Sequence, residues 1–294
     1  MLSASYLSLN PAQWEESCRR LRSLLSPCRL CPRRCGVDRA RGERGFCGIG
    51  ARATVASFGP HFGEEPELVG RGGSGAIFFS GCNLGCLFCQ NYDISLERAG
   101  EEATGEDLAK MMLALQSRGC HNINLVTPTH VVPQIVEALE NAAQGGLRLP
   151  VVYNCGGYEE VETLRALAGA VDIYMPDFKF GGEAEAEKYC RAPRYPAVAR
   201  SAIAEMHRQV GDLLLDPEGI AARGLLVRHL LLPGGLARSE EVFDFLSREI
   251  SPDTYLNLMD QYRPVPVAAG FPELNRRITE EEYARRRAEI LRSI

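Results

Sequence analysis

The sequence from Ala76 onward alternates short apolar segments with longer amphipathic ones. The short segments have the length of buried strands, and the longer ones have the periodicity of helices that pack through one face. This alternation is typical of βα units arranged around a parallel sheet. It predicts strands at 76–80, 122–126, 150–154, 171–175, 225–231 and 255–259, and helices at 105–118, 131–143, 159–168, 183–190, 194–210 and 239–249.

Six strands are too few to close an eight-unit barrel. They predict an α/β fold, an open partial (β/α)6 TIM-type barrel, in which ligands bind beyond the carboxyl ends of the strands. Capping boxes predict two further helices: one from Asn10-Pro-Ala-Gln13 to about Leu25, and one at 280–292 after Thr279-Glu-Glu-Glu282.

Cysteine usage indicates metal binding. The chain of 294 residues has eleven cysteines, an odd number, and seven of them fall into two groups. Its start lacks the pattern of a signal peptide, and no apolar run is long enough to cross a bilayer, so we expect a cytoplasmic protein that does not enter membranes. In that setting the grouping favours metal ligation over disulfides. The formal net charge of −5 gives no indication of nucleic-acid binding.

The most specific motif is Cys82-Asn-Leu-Gly-Cys86-Leu-Phe-Cys89, which directly follows the predicted strand 76–80. A [4Fe–4S] cluster usually takes four thiolates, whereas this run supplies three. We therefore expect one iron to remain open for a substrate or cofactor. The alternative is a zinc-stabilised loop that takes its fourth ligand from elsewhere in the chain.

The segment from Ala76 to Ser95, with its Cys-x3-Cys-x2-Cys spacing and an aromatic residue before the last cysteine, resembles the radical S-adenosylmethionine superfamily. It is most similar to the PflX-like branch of the pyruvate formate-lyase activating enzymes. The resemblance implies that S-adenosylmethionine chelates the open iron through its amino and carboxylate groups. One-electron cleavage of the cofactor then yields methionine and a 5′-deoxyadenosyl radical, which takes a hydrogen atom from the substrate.

The resemblance also implies a function, the installation of a glycyl radical on a partner enzyme, with an electron donor such as flavodoxin or ferredoxin. Radical modification of another peptide or of a small molecule is the alternative that keeps the same cofactors. A metal-stapled binding protein that contacts RNA through the arginines between 29 and 44 is the alternative outside enzyme chemistry.

By the same resemblance, residues in or after the motif and the strands are expected to bind S-adenosylmethionine. Phe88 would lie against the adenine. Arg228 interrupts an apolar strand, so its charge needs a partner, and it would lie near the cofactor carboxylate or ribose. Asp177-Phe-Lys179 matches the Asp-x-Lys of the family, whereas Thr127-Pro-Thr replaces its Gly-Gly-Glu and Asn154-Cys-Gly replaces its Asp-Thr-Asn. The expected cofactor-binding residues are Phe88, Thr127, Asn154, Asp177, Lys179 and Arg228.

A second group, Cys28, Cys31, Cys35 and Cys47, supplies four potential thiolates within twenty residues. Four ligands complete a closed site, so we expect either zinc or an auxiliary [4Fe–4S] cluster there. The segment 26–50 has little apolar material, and a metal would be needed to order it. We therefore divide the chain into an N-terminal helix and cysteine-rich, metal-stapled segment at 1–70, with one strand at Ala53–Phe58, and a barrel at 71–294.

Overall fold

The computed structural model of the chain describes residues 3–293. The helices are α1 (Pro11–Ser23), α2 (Pro66–Val69), α3 (Tyr92–Ser95), α4 (Gly105–Ser117), α5 (Val132–Gln144), α6 (Val161–Ala166), α7 (Glu183–Cys190), α8 (Tyr195–Val210), α9 (Ser239–Phe245) and α10 (Glu280–Ser293). The strands are β1 (Ala53–His61), β2 (Ser74–Phe79), β3 (Glu101–Ala103), β4 (Ile123–Val126), β5 (Val151–Cys155), β6 (Ile173–Pro176), β7 (Leu214–Leu215), β8 (Ala221–Leu230) and β9 (Tyr255–Met259). Within residues 3–293, no helix is long and apolar enough to cross a membrane.

Six strands pair in parallel in the order β2, β4, β5, β6, β8, β9. These are the six strands predicted from the alternation, so the open, mostly parallel α/β sheet is confirmed, and it is consistent with the predicted partial barrel. Three antiparallel strands extend the sheet: β1 pairs with β2, β3 with β1, and β7 with β8. Of these, β1 was predicted, whereas β3 and β7 are too short to leave a pattern in the sequence.

The two faces of the sheet pack against different partners, because side chains alternate along each strand. The face toward the helices belongs to the large hydrophobic core. The opposite face forms a smaller core of fully buried residues, among them Val152, Met175 and Leu226. Leu68 of α2 joins this smaller core, and its carbonyl accepts a hydrogen bond from Asn122, just before β4. Helix α2 therefore covers the amino ends of the strands, and the carboxyl ends remain accessible to a ligand.

Local sequence signals set several element boundaries. Both capping boxes form, one between Asn10 and Gln13 and the other between Thr279 and Glu282. Helix α9 is shorter than predicted and continues as a π-helical turn at Leu246–Ile250. Strand β8 begins four residues before the predicted start, because pairing with β7 extends it through a stretch that has no apolar pattern of its own.

The segment around the second cysteine group is irregular, and its described secondary structure is a short 3₁₀ turn at Arg39–Arg41. Arg39 is 1% exposed, and its guanidinium donates hydrogen bonds to the carbonyls of Gly50 and His130. Thr163 at the start of α6 donates to the carbonyl of Leu30. These bonds hold the segment against the flank of the barrel. The division at residue 70 stays a prediction.

Candidate active site

A cavity of about 280 Å³ opens at the carboxyl ends of the parallel strands. The sequence-predicted residues that line it are Cys82, Cys86, Cys89, Phe88, Thr127, Asn154, Asp177, Lys179 and Arg228. They come from the loops or ends of five different strands, which a parallel arrangement brings to one rim. The structure therefore brings the predicted residues together, while their binding of a cofactor stays a prediction.

The loop that carries the three cysteines is held at several points. The backbone N–H of Leu84 donates to Cys82 Sγ over 3.3 Å, and Ser95 Oγ donates to Cys89 Sγ over 3.2 Å. At the middle of the loop, Gly85 and Leu87 donate their N–H groups to the last two carbonyls of α7, at 3.0 and 2.8 Å. The loop is thus fixed before any ligand binds.

The three cysteine thiols are buried, so that their ionised, ligating form needs a cation nearby. Burial raises the pKa of Cys82 and of Cys89, and contact with Cys190 together with burial raises the pKa of Cys86. Because thiolates are the ligating form, the positive charge of a metal would have to offset this cost. Among the described residues, no three His, Cys, Asp or Glu side chains are grouped so that they could hold a single metal ion, and this holds for both cysteine groups.

A buried ionic network forms the opposite wall. Asp177 accepts from Arg228 Nε at 2.7 Å and from Lys179 Nζ at 2.6 Å, and Arg228 also donates to Asn154 Oδ1 at 2.8 Å and Glu64 Oε2 at 3.2 Å. Burial opposes ionisation, but Arg228 and Lys179 hold the pKa of Asp177 below its usual value. Burial likewise opposes the two cations, while Asp177 raises the pKa of each. All three groups are therefore charged at neutral pH.

Sequence reasoning missed the acidic loop between β1 and β2. Glu64 reaches Arg228 from 164 residues away, and the next carboxylate, Glu65, accepts a hydrogen bond from Asn257 of β9 at 2.7 Å. Burial raises the pKa of Glu64, and Arg228 opposes that rise. In the sequence these glutamates stand in a turn-like Gly-Glu-Glu-Pro stretch, which is typical of a solvated loop, so no local signal could have placed them in the site.

Phe88 lines the cavity and also packs beneath the cysteine loop. It is 5% exposed and meets Phe180 and Tyr262 edge to face, with ring centroids 5.8 and 6.5 Å apart. These two contacts hold the Phe88 ring in place, and a side chain that stacks against a flat ligand needs such rigid support.

Thr127 has a strained backbone. Its φ is +61°, in the left-handed region, which is a true outlier for a β-branched residue. Its N–H donates to the carbonyl of Asn154 over 2.8 Å, which joins the ends of β4 and β5. Strain of this kind costs about 1–3 kcal/mol and is concentrated at functional sites. Thr127 therefore has a backbone conformation that glycine adopts at lower cost.

Two further side chains beside the cavity were not predicted to interact. Glu159 is 2% exposed and accepts hydrogen bonds from Thr129 at 2.6 Å and from Tyr153 at 3.0 Å. Burial raises its pKa to about 7, although the hydrogen bonds from Thr129, Tyr153 and Cys155 act to lower it. Cys190 places its Sγ 2.9 Å from that of Cys86, 104 residues away. Both arrangements depend on tertiary contacts that the sequence does not display.

The second cysteine group surrounds a small enclosed space on the flank of the barrel. Its lining includes Cys28, Cys31, Cys35 and Cys47, and its volume of about 10 Å³ is enough for about one water molecule. The N–H of Phe46 donates to Cys35 Sγ over 3.4 Å. Among the described residues, Nδ1 of His130 in the same wall is buried without a hydrogen-bond partner. The four cysteines are brought together, and a metal there stays a prediction.

Residues 76–212 match the sequence profile described as "Radical SAM superfamily". The chain is 33% identical over 271 residues to Uncharacterized protein MJ0674 of Methanocaldococcus jannaschii, an alignment that covers 89% of this chain and 73% of that protein. It is 27% identical over 202 residues to Uncharacterized protein MJ0808 of the same organism, with 60% of this chain and 56% of that protein covered. Neither name assigns a substrate.

Proposed function

The chain belongs to the radical SAM superfamily, and on that premise we propose that it installs a glycyl radical on a partner enzyme by taking a hydrogen atom from a backbone glycine. A [4Fe–4S] cluster and S-adenosylmethionine, when bound, supply the 5′-deoxyadenosyl radical for this reaction. The observation that carries the proposal is one cavity with three cysteines on one wall and a charged network on the other.

The residues of the chain have distinct tasks in this proposal. Cys82, Cys86 and Cys89 hold the cluster and leave one iron for the cofactor. Asp177 and Lys179, buried as an ion pair in the cavity wall, present opposite charges to the polar groups of S-adenosylmethionine. Because each charge is already paired, this wall can face the zwitterionic amino-acid part of the cofactor without leaving an unmatched charge of its own. The remaining cofactor contacts are assigned to Phe88, Thr127, Asn154 and Arg228.

A groove next to the cavity supports a chain segment as the substrate. The cavity shares Gln90 and Gln261 with an open groove of about 500 Å³, which runs between the segment after β9 and the start of α10. Arg263 in this groove donates to Gln90 Oε1 over 2.7 Å and so joins the groove wall to the cysteine loop. A glycine-containing loop of a partner protein could extend along the groove and place its Cα at the cavity mouth.

Reduction of the cluster requires an outside electron, and we assign this role to a small donor protein such as flavodoxin or ferredoxin. The surface beside the cysteine loop is basic, with Arg191 and Arg194 exposed and Arg33 stacked 3.7 Å above the centre of the Phe46 ring. An acidic donor would be attracted to this side, and the interaction would weaken with salt.

We further propose a second metal centre at Cys28, Cys31, Cys35 and Cys47, either zinc or an auxiliary [4Fe–4S] cluster. Its support is the common lining of one enclosed space by all four thiols. Burial raises the pKa of Cys31 and of Cys47, so a cation would be needed to hold thiolates there. Iron, sulfide and zinc are measured after anaerobic reconstitution: about eight irons means two clusters, since each holds four, and about four irons with one zinc means the alternative.

The test of the main proposal has two steps, both with anaerobically reconstituted protein. Formation of 5′-deoxyadenosine after chemical reduction reports on the radical SAM reaction, with the triple variant C82A/C86A/C89A as the control. Electron paramagnetic resonance of a co-purifying partner then reports on the glycyl radical. The alternative substrate would be supported by a different result. In that case the cofactor is cleaved and another peptide or a small molecule is turned over, but no partner protein carries a radical.

A further inference from the structure

Cys190, the last residue of α7, lies directly behind the cysteine loop. It is fully buried, and its Sγ is 2.9 Å from Cys86 Sγ. The contact is held from both sides by the backbone, because the carbonyl of Cys190 accepts from Gly85 and that of Tyr189 accepts from Leu87. The two residues that flank Cys86 are therefore bound to the end of α7, which holds the backbones that carry the two sulfurs next to each other.

The three cysteines of the loop share a pattern of hydrogen bonding. Cys82 Sγ accepts from the backbone N–H of Leu84, and Cys89 Sγ accepts from Ser95 Oγ. Among the described side chains, Cys190 is the hydrogen-bonding neighbour of Cys86. Either sulfur of this pair could be the donor, but a Cys86 that ligates a cluster is a thiolate without a proton, so Cys190 would then donate through its S–H.

We propose that Cys190 is a positioning residue for the cluster, which donates its S–H to the Cys86 thiolate and thereby raises the reduction potential. This inference rests on the proposed binding of a [4Fe–4S] cluster at Cys82, Cys86 and Cys89. Hydrogen bonds to the sulfurs are among the factors that set the potential of such clusters. Reduction adds negative charge to the cluster and its thiolates, so a donor stabilises the reduced form more than the oxidised form, and most strongly in a buried site.

The test is a redox titration of the reconstituted protein, monitored by electron paramagnetic resonance, with Cys190→Ala and Cys190→Ser. We expect Cys190→Ala to lower the reduced-to-oxidised ratio about tenfold at a given potential, a shift of 59 mV for a one-electron couple. Cys190→Ser keeps a donor and is expected to stay within about threefold of wild type by the same relation. Cys120→Ala, another buried cysteine but one outside the cavity lining, is the matched control and should leave the potential unchanged.

Three results would overturn the assignment. An unchanged potential in Cys190→Ala would show that the thiol does not act on the cluster. Equal shifts in the alanine and serine variants would show that packing, and not the donor, matters. Loss of iron from Cys190→Ala, to the level of Cys86→Ala, would identify Cys190 as a ligand.

A cluster-free measurement separates this inference from the proposed function. In protein from which iron has been removed, the azo oxidant diamide is expected to join Cys86 and Cys190 in a disulfide, with transfer of two electrons and two protons to diamide. Peptide mapping by mass spectrometry would detect the pair, and Cys190→Ser is the control. Absence of this disulfide would contradict the contact itself, whereas cluster uptake with the expected potential shift but without 5′-deoxyadenosine formation would contradict the proposed function alone.

Discussion

The two cysteine groups differ in what surrounds them. The loop at Cys82–Cys89 faces a cavity of about 280 Å³ with paired charges on the opposite wall. The segment at Cys28–Cys47 borders a space of only about 10 Å³, with Arg39 and His130 among the other lining residues. Three ligands on an open cavity suit a metal that reacts, and four around a closed space suit one that supports structure or carries electrons. The number of cysteines and the space beside them together distinguish the two sites.

The largest expected effect comes from removing the cysteines of each group in turn. The variant C82A/C86A/C89A should lose 5′-deoxyadenosine formation by more than about a thousandfold, as when a group essential to the chemistry is removed. The variant C28A/C31A/C35A should lose the second metal but retain four irons and measurable cofactor cleavage. If both variants lost activity equally while C28A/C31A/C35A still bound four irons, the two sites would not differ in the way described here.

The next effect concerns the ionic wall that only the open site has. Asp177→Asn removes the carboxylate that pairs with both Lys179 and Arg228. We expect a loss of about 3–5 kcal/mol in the free energy of unfolding, because two buried cations lose their main partner. Chemical denaturation measures this loss. The control is Glu106→Gln, which breaks an exposed pair with Lys110 and should cost less than about 1 kcal/mol. A similar cost for both variants would mean that the network is not buried in solution.

Glu159 connects the two regions, since it hydrogen-bonds Cys155 of the open cavity and raises the pKa of Cys31 in the closed one. Its pKa of about 7 in the folded protein lies above the usual 4.5, so the folded state holds a proton that the unfolded state releases. Stability relative to Glu159→Gln should therefore be greatest at low pH. It should fall by up to about 3 kcal/mol as the pH rises from about 4.5 to about 7, and then level off.

Denaturation of wild type and Glu159→Gln across this pH range tests the effect. Glu106→Gln serves again as the control, because it removes an exposed carboxylate instead of a buried one. A constant difference between wild type and Glu159→Gln would show that Glu159 titrates at its ordinary pKa, and so that it is exposed to solvent.

The smallest expected effect is at Thr127. Thr127→Gly relieves the left-handed strain, which should offset the greater flexibility that glycine gives the unfolded chain, so stability should change by less than about 1 kcal/mol. Binding of S-adenosylmethionine, measured by calorimetry, should weaken if the threonine side chain contacts the cofactor. The comparison variant Thr127→Val keeps the strain and removes only the hydroxyl. Strong destabilisation by glycine would contradict the strained conformation.

The sequence predicted the barrel well because its strands and helices are regular and the pattern is local. Six apolar segments at the right spacing correspond to the six parallel strands, and the capping boxes placed the starts of α1 and α10. Short strands such as β3 and β7 have too few residues to show an alternating pattern. They form because they pair with a longer strand, and not because of local propensity.

The sequence by itself determined the cysteine groups, the parallel order of the barrel and the strand ends at which polar residues meet, because these follow from spacing and periodicity along the chain. The tertiary structure decided which groups touch. Glu64 meets Arg228, Cys190 meets Cys86 and Glu159 meets Tyr153 only when distant or irregular segments fold over the barrel rim. Such contacts depend on the direction and burial of single side chains, which the order of residues along the chain does not show.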